Sequence, residues 1–536
     1  MPADMVLLAF EPQEGAGKIM KASRQNNSPE PVAAIEIGST GIRLLIASID
    51  ETGSVNVLDR AGKPSRIGRD VFTTGSIGRD AIRESVAVLL SFRELLNGYG
   101  IEPDRTKVIA TSALREAANR DTFLDRVQLQ TGFKIRVVED IEENHLMYLA
   151  VQQALQDERK LLSRNNAMVL EVGGGTTEIM LLRRGKMVSS HSLHIGTLRL
   201  EEQMREAGAS KQYLQEYLES NIKNACDLMT EDIPLETIKS FIVVGSDARL
   251  AAYYVSGKNY EGYSLLDRAG FMAFASSAAA MSVEDLIATY HLPWAEAEGL
   301  GPGLMIESLF LARTGAEELI IPKVSIREGL LLAESKGLDP AVEEELRRQI
   351  VASAQALGKR FHYDEAHAHN VASLSVRLFD STAEEHGMKR HERLLLETAA
   401  FLHDIGTYIR SSGHHRHGEY IVSNSEIFGL NRSDINIISN VVRYHRRTPP
   451  SPAHVNYISL PREDRITVMK LSAILRVADA LDRNHTGRMY DARFEKNGDR
   501  LIIRSARNLD FSLERLSLAD KGDLFEDVFG LSPIIV

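Results

Sequence analysis

The sequence has few cysteines, no long apolar run and a deficit of positive charge. Among its 536 residues there is one cysteine, Cys226, which excludes an internal disulfide framework and argues against a zinc finger. No apolar run reaches the roughly 20 residues of a membrane span, and no cleavage-like site follows the short apolar patch near the N-terminus. We therefore expect a cytoplasmic protein that does not bind membranes.

The charge balance narrows the range of partners. With 63 Lys and Arg against 74 Asp and Glu, the net charge is −11. An acidic chain is a poor non-specific binder of nucleic acid or anionic membranes, and no specific DNA or RNA partner is expected. A polyanionic substrate would need locally focused cations or added metal ions.

The chain is too long for one core, and its composition predicts several domains. Strand-like runs end before about residue 340, helical segments rich in His and Arg follow, and an Asn-Gly pair near residue 497 predicts a hairpin. The predicted parts are a disordered leader (1–30), two related α/β lobes (31–140 and 141–335), an all-α domain (336–488) and a small C-terminal α+β piece (489–536).

Three glycine-rich turns follow apolar strands, and the first two belong to segments of similar outline. In both, a Glu (Glu36 or Glu171) precedes the turn at the same offset. A single turn of this kind usually only connects two strands of a hairpin. Backbone N–H groups at several tight turns, however, bind phosphate well. We predict phosphate binding by Gly38, Ser39, Thr40, Gly173, Gly174, Gly175, Thr176, Gly245 and Ser246.

An ordered set of motifs resembles a known family. The motifs after the first Gly-Ser turn are TSALREAAN (111–119), Glu142-Glu143, GGGTTE (173–178), IGTLRL (195–200) and SIREGLL (325–331). Together they resemble the exopolyphosphatase and guanosine pentaphosphate phosphohydrolase family of the actin-like ATPase superfamily. The resemblance covers residues 32 to about 530. It implies a two-lobed actin-like (ribonuclease H-like) module, a homodimer, and hydrolysis of terminal phosphate from inorganic polyphosphate.

The resemblance also implies roles for acidic residues. Glu143 corresponds to the family's general base for water, and Glu178 to a second carboxylate that helps place water or metal. Mg²⁺ or Mn²⁺ would be held near Glu36 and Glu171, where the family usually has Asp. Without the other motifs, Glu142-Glu143 would be interpreted as an exposed acidic helix start.

Arginines at or beside these motifs are candidate substrate contacts, because a guanidinium can bind two phosphate oxygens at once. We nominate Arg43, Arg66 and Arg115, with solvated surface charge as the alternative for each.

The third turn departs from the family pattern, since Asp247 and Ala248 stand where smaller residues are common.

The helical segment carries a second set of candidate ligands. Their order, His then His-Asp then a distant Asp, resembles the HD phosphohydrolase superfamily and implies a divalent metal. The expected ligands are His367, His403, Asp404 and Asp479, with His417 and His445 at a second metal. The rival interpretation is a metal-free domain that forms a basic channel, using Arg443, Arg446 and Arg447.

Three functions therefore compete. The first is an exopolyphosphatase that uses a carboxylate-activated water and a divalent metal. The second is a guanosine pentaphosphate phosphohydrolase, which no base-reading motif separates from the first. The third is a nucleotide or polyphosphate sensor in which the HD-type domain carries the hydrolysis. A sugar kinase or chaperone-like ATPase shares the turns, but it would need an acceptor pocket or a peptide domain.

Overall fold

The structure is a computed structural model that describes residues 30–50, 54–156, 163–207, 211–255, 257–260, 262–334, 340–507 and 509–536. The leader predicted for residues 1–30 lies outside this part of the chain, apart from Glu30. The chain divides into two compact units, residues 1–343 and 344–536. We call them the first and second units.

The first unit begins with a sheet and its helices. The elements are β1 Pro31–Ile37, β2 Gly41–Ile49, β3 Val55–Pro64, α1 Ile67–Thr74, α2 Arg79–Gly98, β4 Thr106–Ala110, α3 Ser112–Glu116, α4 Arg120–Thr131, β5 Ile135–Val137 and α5 Asp140–Ala154. The strand order is β3-β2-β1-β4-β5, with β1 antiparallel to β2 and parallel to β4. Central strands of such a sheet are covered on both faces, which is why β1 is apolar except for Glu36.

A second sheet follows in the same unit. Its elements are β6 Asn166–Val172, β7 Thr177–Arg183, β8 Lys186–Leu193, α6 Thr197–Ala207, α7 Lys211–Asp232, β9 Ile238–Val244, α8 Ser246–Tyr254, β10 Lys258–Asn259, β11 Tyr263–Asp267, α9 Arg268–Ala280, α10 Val283–Tyr290, α11 Trp294–Ala312, β12 Glu318–Pro322 and α12 Ile326–Glu334. The order is β10-β11-β12-β9-β6-β7-β8. The run β8-β7-β6-β9-β12 repeats the directions of the first sheet, so the expected pair of related lobes is confirmed.

The predicted turns lie where central strands end. Gly38 follows β1, Gly173 follows β6 and Gly245 follows β9, and Ser112 begins the helix after β4. Strands β1 and β4 are parallel, as are β6 and β9, so their carboxyl ends lie at the same edge of each sheet. In α/β proteins this edge is the usual place for ligands.

The second unit is a helical bundle with a small sheet. Helix α13 Pro340–Arg360 runs across the boundary between the units. The other elements are α14 Glu365–Ser381, α15 Ala383–His386, α16 Arg390–Leu402, α17 His414–Ser423, α18 Arg432–Tyr444, α19 Val455–Ile458, α20 Arg462–Ala480, β13 Arg493–Asn497, β14 Arg500–Arg504, α21 Ser512–Lys521, α22 Asp523–Phe529 and β15 Ser532–Ile535.

Residues 489–536 share the core of the second unit. Ile503 and Phe525 are fully buried in the same apolar cluster as Leu396 and Ile474 of the helices. The predicted hairpin is present, and Gly498 takes a φ of 62° in its turn, a backbone conformation that favours glycine. No helix among the described residues has the length and apolar character that a membrane span requires.

Helix α5, which bears Glu143, crosses α12 at very close range. A Cβ built on Gly329 would overlap the carbonyl oxygen of Leu146. The two backbones can approach this closely only because residue 329 has no side chain. The crossing therefore determines where the first turn of α5 lies.

Gly329→Ala is expected to destabilise the first unit by about 1–3 kcal/mol, because the added methyl group must push the two helices apart. Denaturant unfolding measures the change. Gly301→Ala, in α11, is the control, since its Cβ would lie 3.8 Å from the nearest atom, the Cα of Ala279. That control should be neutral or stabilising by up to about 1 kcal/mol. Equal stability of Gly329→Ala and wild type would contradict the crossing.

Candidate active site

The first two glycine-rich turns, one from each lobe, are packed against each other. A Cβ on Gly174 would lie 2.7 Å from Cγ2 of Thr40 and 3.1 Å from Cβ of Ser39. A Cβ on Gly175 would lie 2.7 Å from the hydroxyl oxygen of Ser112, which itself lies 3.0 Å from Oγ of Ser39. Glycine is therefore required here, because the backbone of the second turn packs directly against side chains of the first lobe.

The hydrogen bonds of these turns leave several amides available. The carbonyl oxygens of Gly173 and Gly174 accept from backbone N–H groups at the start of α6, and the Gly173 amide donates to Thr176 at 2.9 Å. Within the described residues, no acceptor contacts the backbone N–H groups of Ser39, Thr40, Gly174 and Gly175. Unpaired amides at tight turns are good donors to phosphate oxygens.

The third predicted turn opens a helix in the second sheet. Gly245 directly precedes α8, and the Ser246 hydroxyl donates to the Asp247 carboxylate at 3.2 Å. Burial raises the pKa of Asp247 to about 7, partly offset by the Ser246 hydrogen bond. The side chain that departs from the family pattern is thus a half-buried acid with a raised pKa.

Glu143 stands in the first turn of α5 with one oxygen unpartnered. Its Oε2 is buried and has no hydrogen-bond partner in the described chain, and the nearest cation is NH1 of Arg115 at 3.5 Å. Burial raises the pKa of Glu143 to about 8, although Arg115 lowers it, and Glu171 and Glu36 raise it further. A proton acceptor without a hydrogen-bond partner and with a pKa near neutrality suits general base catalysis.

Arg115 is engaged by the protein. Its guanidinium donates to the Val138 carbonyl at 2.6 Å and to the carboxylate of Asp140, and it lies beside Glu143. This geometry assigns Arg115 to orienting the start of α5. The hydrogen bonds of Arg115 do not support the predicted contact between this side chain and substrate.

Glu178 lies deeper, in a complete hydrogen-bond set. The Asn144 amide and the Ser192 hydroxyl each donate to its carboxylate at 2.7 Å. Burial and then Glu143 raise the pKa of Glu178 to about 8, against the lowering effect of these hydrogen bonds. Asn144 and Ser192 were not predicted, because nothing in their local sequence marks them as partners of a carboxylate.

The surroundings of Glu36 and Glu171 differ from those expected of two ligands to one metal ion. Oε2 of Glu36 accepts from NH1 of Arg327 at 2.5 Å, and Arg43 lies 3.7 Å from Oε1. Burial raises the pKa of Glu171 to about 8, and Glu36 raises it further. Arg327 comes from α12, 291 residues away in sequence, so local patterns could not pair it with Glu36.

A different carboxylate group in this region has the spacing of a metal site. Ligand atoms of Asp140, Glu143 and Glu178 all lie within 4.8 Å of one another. Three carboxylates supply the hard oxygen donors that Mg²⁺ and Mn²⁺ prefer. In the described residues Glu36 and Glu171 belong to no such group.

The other two predicted arginines differ in position. Arg43 donates to the Thr40 hydroxyl at 3.2 Å and therefore lies at the first turn. Arg66 is exposed and lies 3.8 Å from Glu84 at the surface. Of these two arginines, Arg43 is therefore the one that contacts a predicted phosphate-binding turn.

The second unit brings most of the predicted HD-type ligands together. The atoms of His367, His403 and Asp479 form one group within 4.8 Å, and those of Asp404, His414 and His445 form another. Burial lowers the pKa of both His403 and His445, which favours neutral imidazole. Although burial raises the pKa of Asp479, Lys521 and His403 bring it below its usual value.

The structure places His414 beside Asp404, and not the predicted ligand His417. Nε2 of His414 lies 3.0 Å from Asp404 Oδ1, whereas His417 belongs to no ligand group in the described chain. Both residues are on α17, three positions apart, so helix period alone could not choose between them.

The rival interpretation of the helical segment was a basic channel that uses Arg443. In the structure the charge of Arg443 is paired with the carboxylate of Glu419.

The raised pKa values predict how stability depends on pH. Each buried carboxyl contributes stability that is present below its unfolded pKa and is lost as pH rises through about 8. With chelator present, denaturant unfolding of the first unit should therefore give a falling free energy from pH 5 to pH 9. Glu171→Gln should flatten the curve, and Glu142→Gln is the matched control. A slope unchanged by Glu171→Gln would contradict this account.

Comparison with known proteins assigns the family. A model described as "Ppx/GppA phosphatase family" matches residues 45–337, and one described as "Ppx/GppA phosphatase, domain III" matches residues 349–521. A guanosine-5'-triphosphate,3'-diphosphate pyrophosphatase of Photobacterium profundum is 22% identical over 448 residues, which is 83% of this chain and 84% of the relative. The Vibrio atlanticus counterpart is 23% identical over 465 residues, 84% and 86% of the two chains.

Solved structures match more than half of the chain. An exopolyphosphatase from Cytophaga hutchinsonii has a TM-score of 0.50 and 18% identity, and the match covers 57% of this chain and 99% of the other. A Ppx/GppA family member from Aquifex aeolicus has a TM-score of 0.46 and 25% identity over 59% and 98% of the two chains. The first of these likenesses supports an actin-like fold for the two lobes.

Proteins of this family hydrolyse phosphoanhydride bonds and depend on divalent metal ions. The match over residues 45–337 alone spans more than half of the sequence, and it includes the second turn, Glu143 and Glu178. The chain belongs to the Ppx/GppA phosphatase family.

Proposed function

We propose that the first unit is an exopolyphosphatase, which removes terminal phosphate from inorganic polyphosphate with Glu143 as general base. The observation that carries the proposal is the buried Oε2 of Glu143, which has no hydrogen-bond partner in the described chain and lies 3.5 Å from the Arg115 guanidinium. Glu171 and Glu36, the acids that precede the two apposed turns, raise the pKa of Glu143, which supports a position of this carboxyl near those turns. Base and phosphate donors would then belong to one site.

The chain's own groups account for the steps. The amides of Ser39, Thr40, Gly174 and Gly175 would hold the terminal phosphate, with Arg43 beside the first turn. Glu143 takes a proton from a water whose oxygen bonds to phosphorus, the bridging P–O bond breaks, and the shortened chain leaves as an anion. Arg115 keeps Glu143 in place, and Asn144 and Ser192 hold Glu178 beside it.

The carboxylates fit a divalent ion. Asp140, Glu143 and Glu178 would hold Mg²⁺ or Mn²⁺, which when bound neutralises charge on the phosphate oxygens. Glu36 and Glu171 remain the alternative ligands, although Arg327 pairs with Glu36.

Guanosine pentaphosphate is the second candidate substrate. Relatives matching more than four fifths of the chain carry the name guanosine-5'-triphosphate,3'-diphosphate pyrophosphatase. Both substrates end in the same phosphoanhydride group, so the proposed chemistry applies to either. A third candidate is a sensor in which the second unit carries the hydrolysis.

Several further features are proposed with this function. The two lobes span 31–140 and 141–335, the HD-type domain spans 336–488, and 489–536 is a small C-terminal piece that packs on the HD-type domain. A homodimer is proposed from the family resemblance. A reducing, cytoplasmic location is supported by the single cysteine, Cys226.

Glu143→Gln should lower the rate of phosphate release by about 10²- to 10⁴-fold, because the amide cannot accept the proton of water. The assay compares long-chain polyphosphate with guanosine pentaphosphate. Binding should persist, since the turn amides are unchanged. Glu142→Gln is the matched control, because the neighbouring Glu142 pairs with Arg136 instead of joining the carboxylate group.

The outcomes separate the three candidates. Faster release from polyphosphate supports the proposed function, and faster release from the nucleotide supports the second candidate. Full activity in Glu143→Gln, lost instead in a His403→Ala, Asp404→Ala double variant, would favour hydrolysis by the second unit. No release from either substrate by the wild-type protein would overturn the enzymatic proposal.

A further inference from the structure

The second glycine-rich turn is held by the start of helix α6. Backbone N–H groups in the first turn of α6 donate to the carbonyl oxygens of Gly173 and Gly174, at 3.0 Å in each case. The next carbonyl, that of Gly175, accepts at 2.9 Å from Nε of the Arg199 side chain. Three consecutive carbonyl groups are therefore directed at α6, and the donor to the third is a side chain.

These bonds determine which way the following amides point. The C=O and N–H of a trans peptide unit point in opposite directions, and no cis peptide bond occurs among the described residues. The N–H groups of Gly174, Gly175 and Thr176 therefore point away from α6. Consecutive N–H groups directed to one side form a concave site for anions.

The Thr176 amide is the third donor of this set. Within the residues that the structure describes, it contacts no acceptor. Its direction is set by the peptide unit that it shares with the Gly175 carbonyl, and that carbonyl is held by Arg199. The availability of this amide to phosphate therefore depends on one side chain.

Arg199 is itself fixed by contacts with the first lobe. Its NH2 donates to Oε1 of Glu116 in α3, and its Cζ lies 4.2 Å from the centre of the Phe72 ring in α1. A Cβ built on Gly175 would lie 2.5 Å from Cζ of the same ring. The first lobe thus holds the guanidinium in place while Nε holds the turn of the second lobe.

The first glycine-rich turn is anchored differently. The Ser39 carbonyl accepts from the Gly68 N–H at 3.1 Å, and the Thr40 carbonyl accepts from the Ser65 N–H at 3.0 Å. A side-chain substitution leaves such backbone donors in place. The bond from Arg199 can be removed by substitution, so its contribution can be measured.

We propose that Arg199 is a positioning residue, which directs the Thr176 amide at the terminal phosphate by holding the Gly175 carbonyl. Its Nε and NH2 donate to Gly175 and Glu116, so its charge is paired within the protein. Arg199 therefore acts through the geometry of the turn. The inference rests on the proposed function, because it requires phosphate to bind at the turns.

Three substitutions at position 199 separate the hydrogen bond from the charge. In Arg199→Gln, the amide nitrogen stands at the same distance along the side chain as Nε of arginine, so a neutral donor is kept. Arg199→Met places a methyl group there, which cannot donate. Arg199→Lys keeps the positive charge, but its donor lies one bond further out.

The full-length protein with Mg²⁺ is assayed for phosphate release from polyphosphate and, by calorimetric titration, for binding of inorganic orthophosphate. Arg199→Met should lower kcat/KM by about 10²-fold, the usual loss when one oriented donor is removed. It should weaken orthophosphate binding by about tenfold. Arg199→Gln should recover most of both losses, whereas Arg199→Lys should resemble Arg199→Met.

Arg205→Met is the matched control, because Arg205 lies on the same helix and pairs with Glu202. Its kinetics should equal those of the wild type. Denaturant unfolding should give equal stability for the Gln and Met variants at position 199, so that a difference in kinetics reports the donor and not the fold. Equal kinetics for these two variants, or recovery by lysine alone, would overturn the proposal.

The titration separates this proposal from the proposed function. If the wild type binds orthophosphate but releases none from polyphosphate, the proposed function fails, and the order of orthophosphate affinities, with Gln above Met, still decides the role of Arg199. If the wild type neither binds orthophosphate nor releases it, both proposals are overturned.

Discussion

The cleft of the first unit is governed by the burial of more carboxyl groups than its cations can neutralise. Glu143, Glu171 and Glu178 all have pKa values raised to about 8, chiefly because burial disfavours their charged forms. Glu36 is paired with Arg327. A phosphate substrate adds further negative charge. Added cations would offset this negative charge, in agreement with the dependence of this family on divalent metals.

The backbone complements these charges. Gly174 and Gly175 allow the turn of the second lobe to contact that of the first, and the hydrogen bonds of both turns leave amides available. The same close packing recurs behind the site, where Gly329 lets α12 reach the backbone of α5. The position of Glu143 therefore depends on the close packing that these glycines allow in several parts of the first unit.

The second unit also buries groups that can bind cations, but most of these groups are histidine side chains. Its histidines are buried, and their outer nitrogens are committed to carbonyl oxygens or to Asp482, so the inner lone pairs converge. Carboxylates without enough cations suit hard ions such as Mg²⁺, whereas convergent imidazoles suit transition metals. The buried groups of the two units therefore offer cations different chemical surroundings, carboxylates in the first unit and mostly imidazoles in the second.

The sequence by itself determined the two related sheet lobes, the turns at their strand ends, the helical second unit and the hairpin at Gly498, because these follow from hydrophobic period and glycine chemistry. Only the tertiary structure paired Arg327 with Glu36, turned Arg115 toward α5, and selected His414 over His417. Local patterns specify backbone conformation. The partner of a buried charge is set by elements that are distant in sequence, and it emerges only when they pack together.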